Sequence, residues 1–152
     1  MRILLVSNSG WSPSGYGTQI QYLAPLLRDA GHDIAVSAFF GLQGGQITWQ
    51  DIKHYPAGFA PYGNDVIHLH ARDFKADIVV TLIDIWVLRE DLHKLVRNVP
   101  WTPIDHQPVP AVVASRMKNA WDVMAYSKFA VQEMEKIGVS CHYVPHGVDT
   151  ET

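Results

Sequence analysis

Three short stretches of this sequence combine residue types that could do chemistry. The first is Ser7-Asn8-Ser9-Gly10-Trp11-Ser12-Pro13-Ser14-Gly15-Tyr16-Gly17-Thr18. Glycines at 15 and 17 let backbone N–H groups come close to a ligand, and a helix starting there favours a phosphate or a hydroxylated group at its N-terminus. Neither nucleotide fingerprint fits in detail. A dinucleotide loop would place a third glycine at position 20, which is Ile20, and a phosphate-binding P-loop would place lysine where Tyr16 follows Gly15. The plain alternative is a flexible surface loop using Gly and Ser for turns.

The second stretch, Trp101-Thr102-Pro103-Ile104-Asp105-His106-Gln107-Pro108-Val109-Pro110, reads as a strand that delivers Asp105 and His106 to its carboxyl end before a Pro-rich reversal. His106 can donate or accept a hydrogen bond near neutral pH, and Asp105 beside it can orient the ring. The alternative is an ordinary hydrogen-bonded loop histidine. In the third, Thr81-Leu82-Ile83-Asp84-Ile85-Trp86, an acid and an indole interrupt an apolar run. A carboxylate beside an aromatic face suits sugar hydroxyls and apolar sugar faces, whereas the competing expectation has Asp84 capping a helix over 88–97 and Trp86 filling core.

Metal chemistry is not expected. His68 and His70 sit two apart in a stretch, 64–74, that reads as helix, so they face different ways, and no Cys or carboxylate set accompanies them. The single Cys141 lies in a predicted strand with no second Cys near it, which fits a buried, inert thiol and excludes an internal disulfide. On that ground the chain is read as cytosolic.

These residues need elements to hold them. Unbroken aliphatic runs recur at 3–6, 34–40, 78–85, 102–104, 123–126 and 143–144. Runs without alternation suit strands covered on both faces. Between them, Ile20, Leu23, Leu27 and Ala30 recur at helical spacing with Gly31 as the stop, and Pro25 inside that pattern should kink the helix. A second helix is capped by Ser127, carries Ala130, Met134 and Ile137, and stops at Gly138. The alternation predicts a doubly wound, Rossmann-like α/β fold with a mainly parallel sheet and ligands at its carboxyl end. Segment 41–64, rich in Gly and Pro, reads as an insertion at one edge, with 47–49 and 52–55 pairing as a hairpin.

Composition fits this. The chain has 152 residues, 47% hydrophobic and 18% charged, with a net charge of −3, enough for one domain with a real core. The acidic balance and lack of a Lys/Arg cluster argue against nonspecific nucleic-acid or anionic-membrane binding; contact with a lipid surface stays open, although Lys94, Arg97 and Lys118 are too few and scattered to support it. No apolar stretch reaches the roughly 18 residues of a membrane span. Residues 1–8 read as a buried first strand rather than a signal peptide, since the apolar run is short and no small-residue cleavage site follows.

Taken in order, the opening strand with its glycine loop, Leu27-Arg28-Asp29-Ala30-Gly31-His32-Asp33-Ile34, Ala76-Asp77-Ile78-Val79-Val80, Ala125-Tyr126-Ser127-Lys128-Phe129 and Val144-Pro145-His146-Gly147-Val148-Asp149 resemble the N-terminal domain of a GT-B glycosyltransferase. The likeness is to the large retaining family 4 (glycosyl transferase group 1) and covers nearly the whole chain. Its most specific element is the closing motif, which in such enzymes stands at the crossing between two Rossmann-like domains. The resemblance implies that 1–144 is the acceptor-side domain and that 145–152, with Pro145, His146, Gly147 and Asp149, begins the interdomain linker. A C-terminal donor-binding domain is then expected to be missing, and the isolated chain to be catalytically incomplete. The family's paired glutamates are absent, since Glu90, Glu133, Glu135 and Glu151 do not fall at their spacing.

Carried over by resemblance, Gly15, Tyr16, Gly17 and Thr18 match the loop near the donor phosphates and acceptor, although a Gly-Gly pair is commoner there. His106 matches the histidine touching the donor sugar, with Asp105 competing for that alignment, and Asp84 and Trp86 line the same cleft. The implied reaction moves a sugar from a nucleotide-diphosphate-sugar to an unknown acceptor, on one face of the donor, without cofactor or metal. Two other readings stay open: a non-catalytic binding module that self-associates through its exposed cleft face, and half of a sugar-nucleotide 2-epimerase.

Overall fold

Residues 3–7 of the first strand, β1 (Arg2–Asn8), are all buried. The reason is visible in their partition. Ile3 and Leu5 pack on one face of the sheet with Ile20 and Ala24, whereas Leu4 and Val6 pack on the other with Ile67, Ala71 and Phe74. A strand buried on both sides has no polar face, which is why its sequence shows no alternation. The computed structural model describes residues 1–148 and 150.

After β1 come α1 (Gly15–Asp29), β2 (Asp33–Phe40), β3 (Ile47–Trp49), β4 (Ile52–Tyr55), α2 (Ile67–Phe74), β5 (Ile78–Thr81), α3 (Leu92–Leu95), β6 (Asn98–Thr102), α4 (Ala111–Asn119), β7 (Met124–Ala125), α5 (Lys128–Lys136) and β8 (His142–Tyr143). The eight strands form one sheet in the order β3-β4-β2-β1-β5-β6-β7-β8. Every neighbouring pair is parallel except β3 with β4. This is the doubly wound, Rossmann-like α/β architecture. The chain winds outward from β1 through β2 to the β3–β4 edge, then returns to the other side of β1 with β5. The reversal between β1 and β5 opens a crevice at their carboxyl ends, the ligand side of such sheets.

Local signals explain the ends of the helices. Ser14 caps α1 by accepting from the Gly17 N–H, and Ser127 caps α5 by accepting from the Ala130 N–H. Both helices stop at a left-handed glycine: Gly31 at φ 100° and Gly138 at φ 79°. The following N–H groups, of His32 and Val139, close back on Leu27 and Met134, the paired pattern that satisfies the last carbonyls of a helix. The edge hairpin forms as expected, with Gln50 and Asp51 both left-handed (φ 53° and 59°), the turn whose twist matches the strands it joins.

Several boundaries differ from expectation. α1 runs unbroken through Pro25 from Gly15 to Asp29, and Ala30 is its exposed cap, off the buried stripe. The strand expected over 78–85 ends at Thr81, the last residue in register with β1. The strand expected at 102–104 is β6, displaced to Asn98–Thr102; polar Asn98 and Pro100 masked it, yet all five of its residues are buried. The helix expected over 88–97 shrinks to α3, and that over 64–74 starts at Ile67 after a 3-10 turn at Pro61–Gly63. Cys141 precedes β8 rather than lying in it, half-buried, and burial pushes its thiol pKa up. No described helix is long and apolar enough to cross a membrane.

Candidate functional site

The loop leaving β1 is braced from within. Ser9 and Ser12 are buried, their hydroxyls 2.7 Å apart, and the Ser9 N–H donates to the Phe40 carbonyl at 2.9 Å. Asn8 Nδ2 donates to Ser14 Oγ at 2.8 Å. Trp11 donates through Nε1 to the Gly41 carbonyl and packs edge-on against Trp49, 5.3 Å between centroids, and against His54. The edge insertion therefore clasps the glycine loop. Burial also pushes the His54 pKa down, keeping it neutral within this aromatic cluster.

Gly15 and Gly17 play different parts. A Cβ at Gly15 meets nothing within 4 Å, whereas one at Gly17 would lie 2.4 Å from the Ser12 carbonyl oxygen and 2.9 Å from that of Ser9. The close approach at Gly17 is to the loop's own backbone, and its N–H is already given to Ser14. Thr18 likewise turns inward, its hydroxyl donating to the Ser14 carbonyl at 3.0 Å. The open end of α1 is thus Gly15 and Tyr16.

Tyr16 looks across the crevice. Its hydroxyl lies beside that of Tyr126, and Asp84 acts on both phenols. Burial first, and then the Asp84 charge, raises the Tyr16 pKa; burial likewise dominates the rise at Tyr126. Tyr126 donates to the Trp101 carbonyl at 2.9 Å.

Beyond Tyr16 and Ile83, a hollow of about 270 Å³ is lined by Asp84, Trp86, Pro103, Ile104, Asp105, His106, Pro110, Val112 and Val113. All four chemistry-bearing residues from the second and third stretches meet there. A second, more open hollow of about 630 Å³ lies on the α1 side, with Asn8, Ser14, Tyr16 and Ile83 in its wall. The two adjoin at Ile83–Asp84.

Neither competing expectation for Asp84 and Trp86 holds. Asp84 precedes a 3-10 turn, Ile85–Val87, and makes no side-chain cap to it. Trp86 is 58% exposed rather than core. Both side chains are therefore available to a ligand. His106 Nδ1 sits 2.6 Å from Asp105 Oδ1, with both side chains largely exposed.

Two residues that sequence reasoning did not single out hold this wall in place. The buried Thr102 hydroxyl donates to the Ile83 carbonyl at 2.6 Å and accepts from the Ile85 N–H at 2.8 Å, gripping the backbone on both sides of Asp84. Arg116 Nη1 donates to the carbonyls of Ile85 at 3.0 Å, Trp86 at 2.8 Å and Leu88. A threonine ending a strand and an arginine on a helix carry no sequence signal for such roles, because their partners are backbone atoms far along the chain.

The closing motif is fastened to this domain. Trp101 Nε1 donates to the Val144 carbonyl at 2.7 Å, and Gln19 Nε2 to that of Gly147 at 3.0 Å. The His146 ring lies 4.0 Å from that of Tyr126 and 4.5 Å from that of Trp101, and burial lowers its pKa. Pro145 and Gly147 border an apolar groove with Tyr22 and Leu26 of α1. Asp149 lies outside the described residues.

Asp84 gives a pH-dependent prediction. Burial, and secondarily the Asp105 charge, raises its pKa above the ordinary 3.8, so the fold prefers it protonated. Its contribution to stability is fully present below pH 3.8 and is lost as pH rises through the raised value. Asp84→Asn is expected to raise the urea midpoint at pH 7 while changing it little at pH 3.5. A lower midpoint at pH 7 would contradict this.

No family model matches the chain, and no curated protein matches it. Among the described residues no group of three or more His, Cys, Asp or Glu converges as a metal site.

Proposed function

We propose that this chain is the acceptor-side half of a retaining GT-B glycosyltransferase of the family 4 type, with its sugar site in the hollow at the carboxyl ends of β5 and β6. One observation carries the reading: Asp84, Trp86, Asp105 and His106, from two separate stretches of sequence, line a single cavity beside the open start of α1. Carboxylates accept from sugar hydroxyls, and an exposed indole covers an apolar sugar face. His106, oriented by Asp105, supplies a directed hydrogen bond at the rim.

Charge sorts the ligand. Two carboxylates repel a diphosphate from the sugar hollow, whereas the N-terminus of α1, with the open Gly15, attracts one. The donor sugar then lies over Asp84 and Trp86, with its phosphates towards Gly15 and Tyr16. In the transfer, the bond from the anomeric carbon to the phosphate oxygen breaks and a bond to the acceptor oxygen forms on the same face. The acceptor proton passes to the departing phosphate. The residues of this chain act by positioning and by stabilising charge, and a second domain supplies the remaining donor contacts.

The test uses the 152-residue chain with UDP-glucose and GDP-mannose as probes, followed by amide NMR. Weak saturable binding is expected, with shifts at 15–18, 84–86 and 104–106 and about tenfold weaker binding in His106→Ala or Asp84→Asn. Transfer by the chain alone is expected to be negligible. Steady turnover that disappears in His106→Ala would overturn the half-site reading. Failure of both sugar nucleotides and simple sugars to shift these amides, together with self-association through the crevice face, would replace it with a binding module.

A further inference from the structure

The other end of the sheet holds a further cavity. Its volume is about 390 Å³, and it is lined by Arg72, Lys75 and Arg97 over an apolar floor that includes Ala76, Val79 and Val96. Because β5 and β6 run parallel, residues just before and at their starts mark the amino end, away from Asp84 and His106.

Three features set this cavity apart from a solvated charged face. No carboxylate lines it, although the chain as a whole is net negative. The two nearest acids in sequence are engaged elsewhere: Asp73 accepts from the Tyr55 hydroxyl at 2.6 Å and Asp77 from the Arg2 N–H at 2.7 Å. His68 also borders the cavity, and its Nδ1 is shut from solvent without a hydrogen-bond partner.

Lys75 adds an observation of a different kind. It ends α2 in the left-handed conformation, φ 57° and ψ 47°, where glycine is the low-energy choice and a side chain is strained. The left-handed residues that end α1 and α5, Gly31 and Gly138, are both glycines. A lysine here sacrifices stability to place an ammonium at the cavity mouth.

We infer that this cavity is a binding site for a phosphate monoester, with Arg72, Lys75 and Arg97 taking the dianion and the apolar floor taking the carbon skeleton attached to it. Two guanidinium forks and a mobile ammonium match the geometry and charge of a phosphate better than those of a single carboxylate. Arg97 is held near the site by the Trp121 ring, 5.8 Å from its centroid, which limits the ordering that binding must impose.

The experiment titrates the chain with inorganic phosphate against chloride of equal ionic strength, read by amide shifts. Saturable shifts are expected at 72–76 and 95–97, with affinity falling about tenfold in Arg72→Gln. Lys75→Gly separates the two roles of that position: relief of the left-handed strain should raise Tm by about 2–4 °C while phosphate binding weakens. Co-sedimentation with phosphatidic acid vesicles, lost in Arg72→Gln, would identify the monoester as a lipid headgroup; saturable phosphate binding without sedimentation would identify a soluble one. Linear, non-saturating shifts, shifts confined to 15–18, or an unchanged affinity in Lys75→Gly would overturn the proposal. The sugar-nucleotide titration at the opposite end is read at different amides, so either reading can fail without the other.

Discussion

Gly17→Ala is expected to lose about 2–4 kcal/mol of stability, whereas Gly15→Ala, two residues earlier, stays within about 0.5 kcal/mol of the parent. The difference lies in what the new methyl group meets. At 17 it lies 2.4 Å from the Ser12 carbonyl and 2.9 Å from that of Ser9. Both are backbone atoms of a loop tied to Phe40 and by the buried Ser9–Ser12 pair, so neither can yield cheaply. At 15 the methyl group points into open space. Urea denaturation of the two variants measures this directly. Equal losses would mean that the loop is not held as described. Ligand binding should respond in the reverse sense, because Gly15→Ala adds a methyl group at the exposed start of α1, where the proposed phosphates approach, while leaving the fold intact.

Thr102→Val is the second large effect, at about 2–4 kcal/mol. Valine has nearly the same shape, so packing is preserved and the hydroxyl alone is removed. That hydroxyl serves two buried backbone groups, the Ile83 carbonyl and the Ile85 N–H, and each is left without a partner away from water. Thr102→Ser keeps the hydroxyl and should retain most of the stability. The site should also feel the change, because Asp84 sits between the two residues that Thr102 holds. Weaker binding of sugar nucleotides in Thr102→Val than in Thr102→Ser, measured well below both unfolding midpoints, would show that Thr102 positions Asp84 as well as stabilising the fold.

Much of the architecture was legible because its signals are local or periodic. Ser14 and Ser127 are one-residue caps, Gly31 and Gly138 are one-residue stops, and the unbroken aliphatic run of β1 follows from burial on both faces. The 47–55 hairpin was readable for the same reason, since a two-residue turn fixes its own register. β6 was misplaced because Pro100 and Asn98 look unlike a strand, and only its neighbours β5 and β7 make that segment one. The helix expected over 88–97 shortened for a related reason, as the Arg116 side chain binds the Ile85, Trp86 and Leu88 carbonyls and holds the chain in an irregular path.

The sequence by itself determined the alternation of strands with helices, the caps that delimit two of the helices, and the residue types able to meet a sugar or a phosphate. Each of these is written within a few residues of itself. Only the tertiary structure decided which residues meet: Asp84 and His106 in one cavity, Arg72 and Arg97 in another, and the Tyr16 hydroxyl beside that of Tyr126. It also decided that Gly17 is packed against the loop's own backbone while Gly15 is left in open space. Such pairings come from the parallel register of strands joined by long crossovers. The free energy that fixes that register is spread over the whole buried sheet, so no short segment carries it.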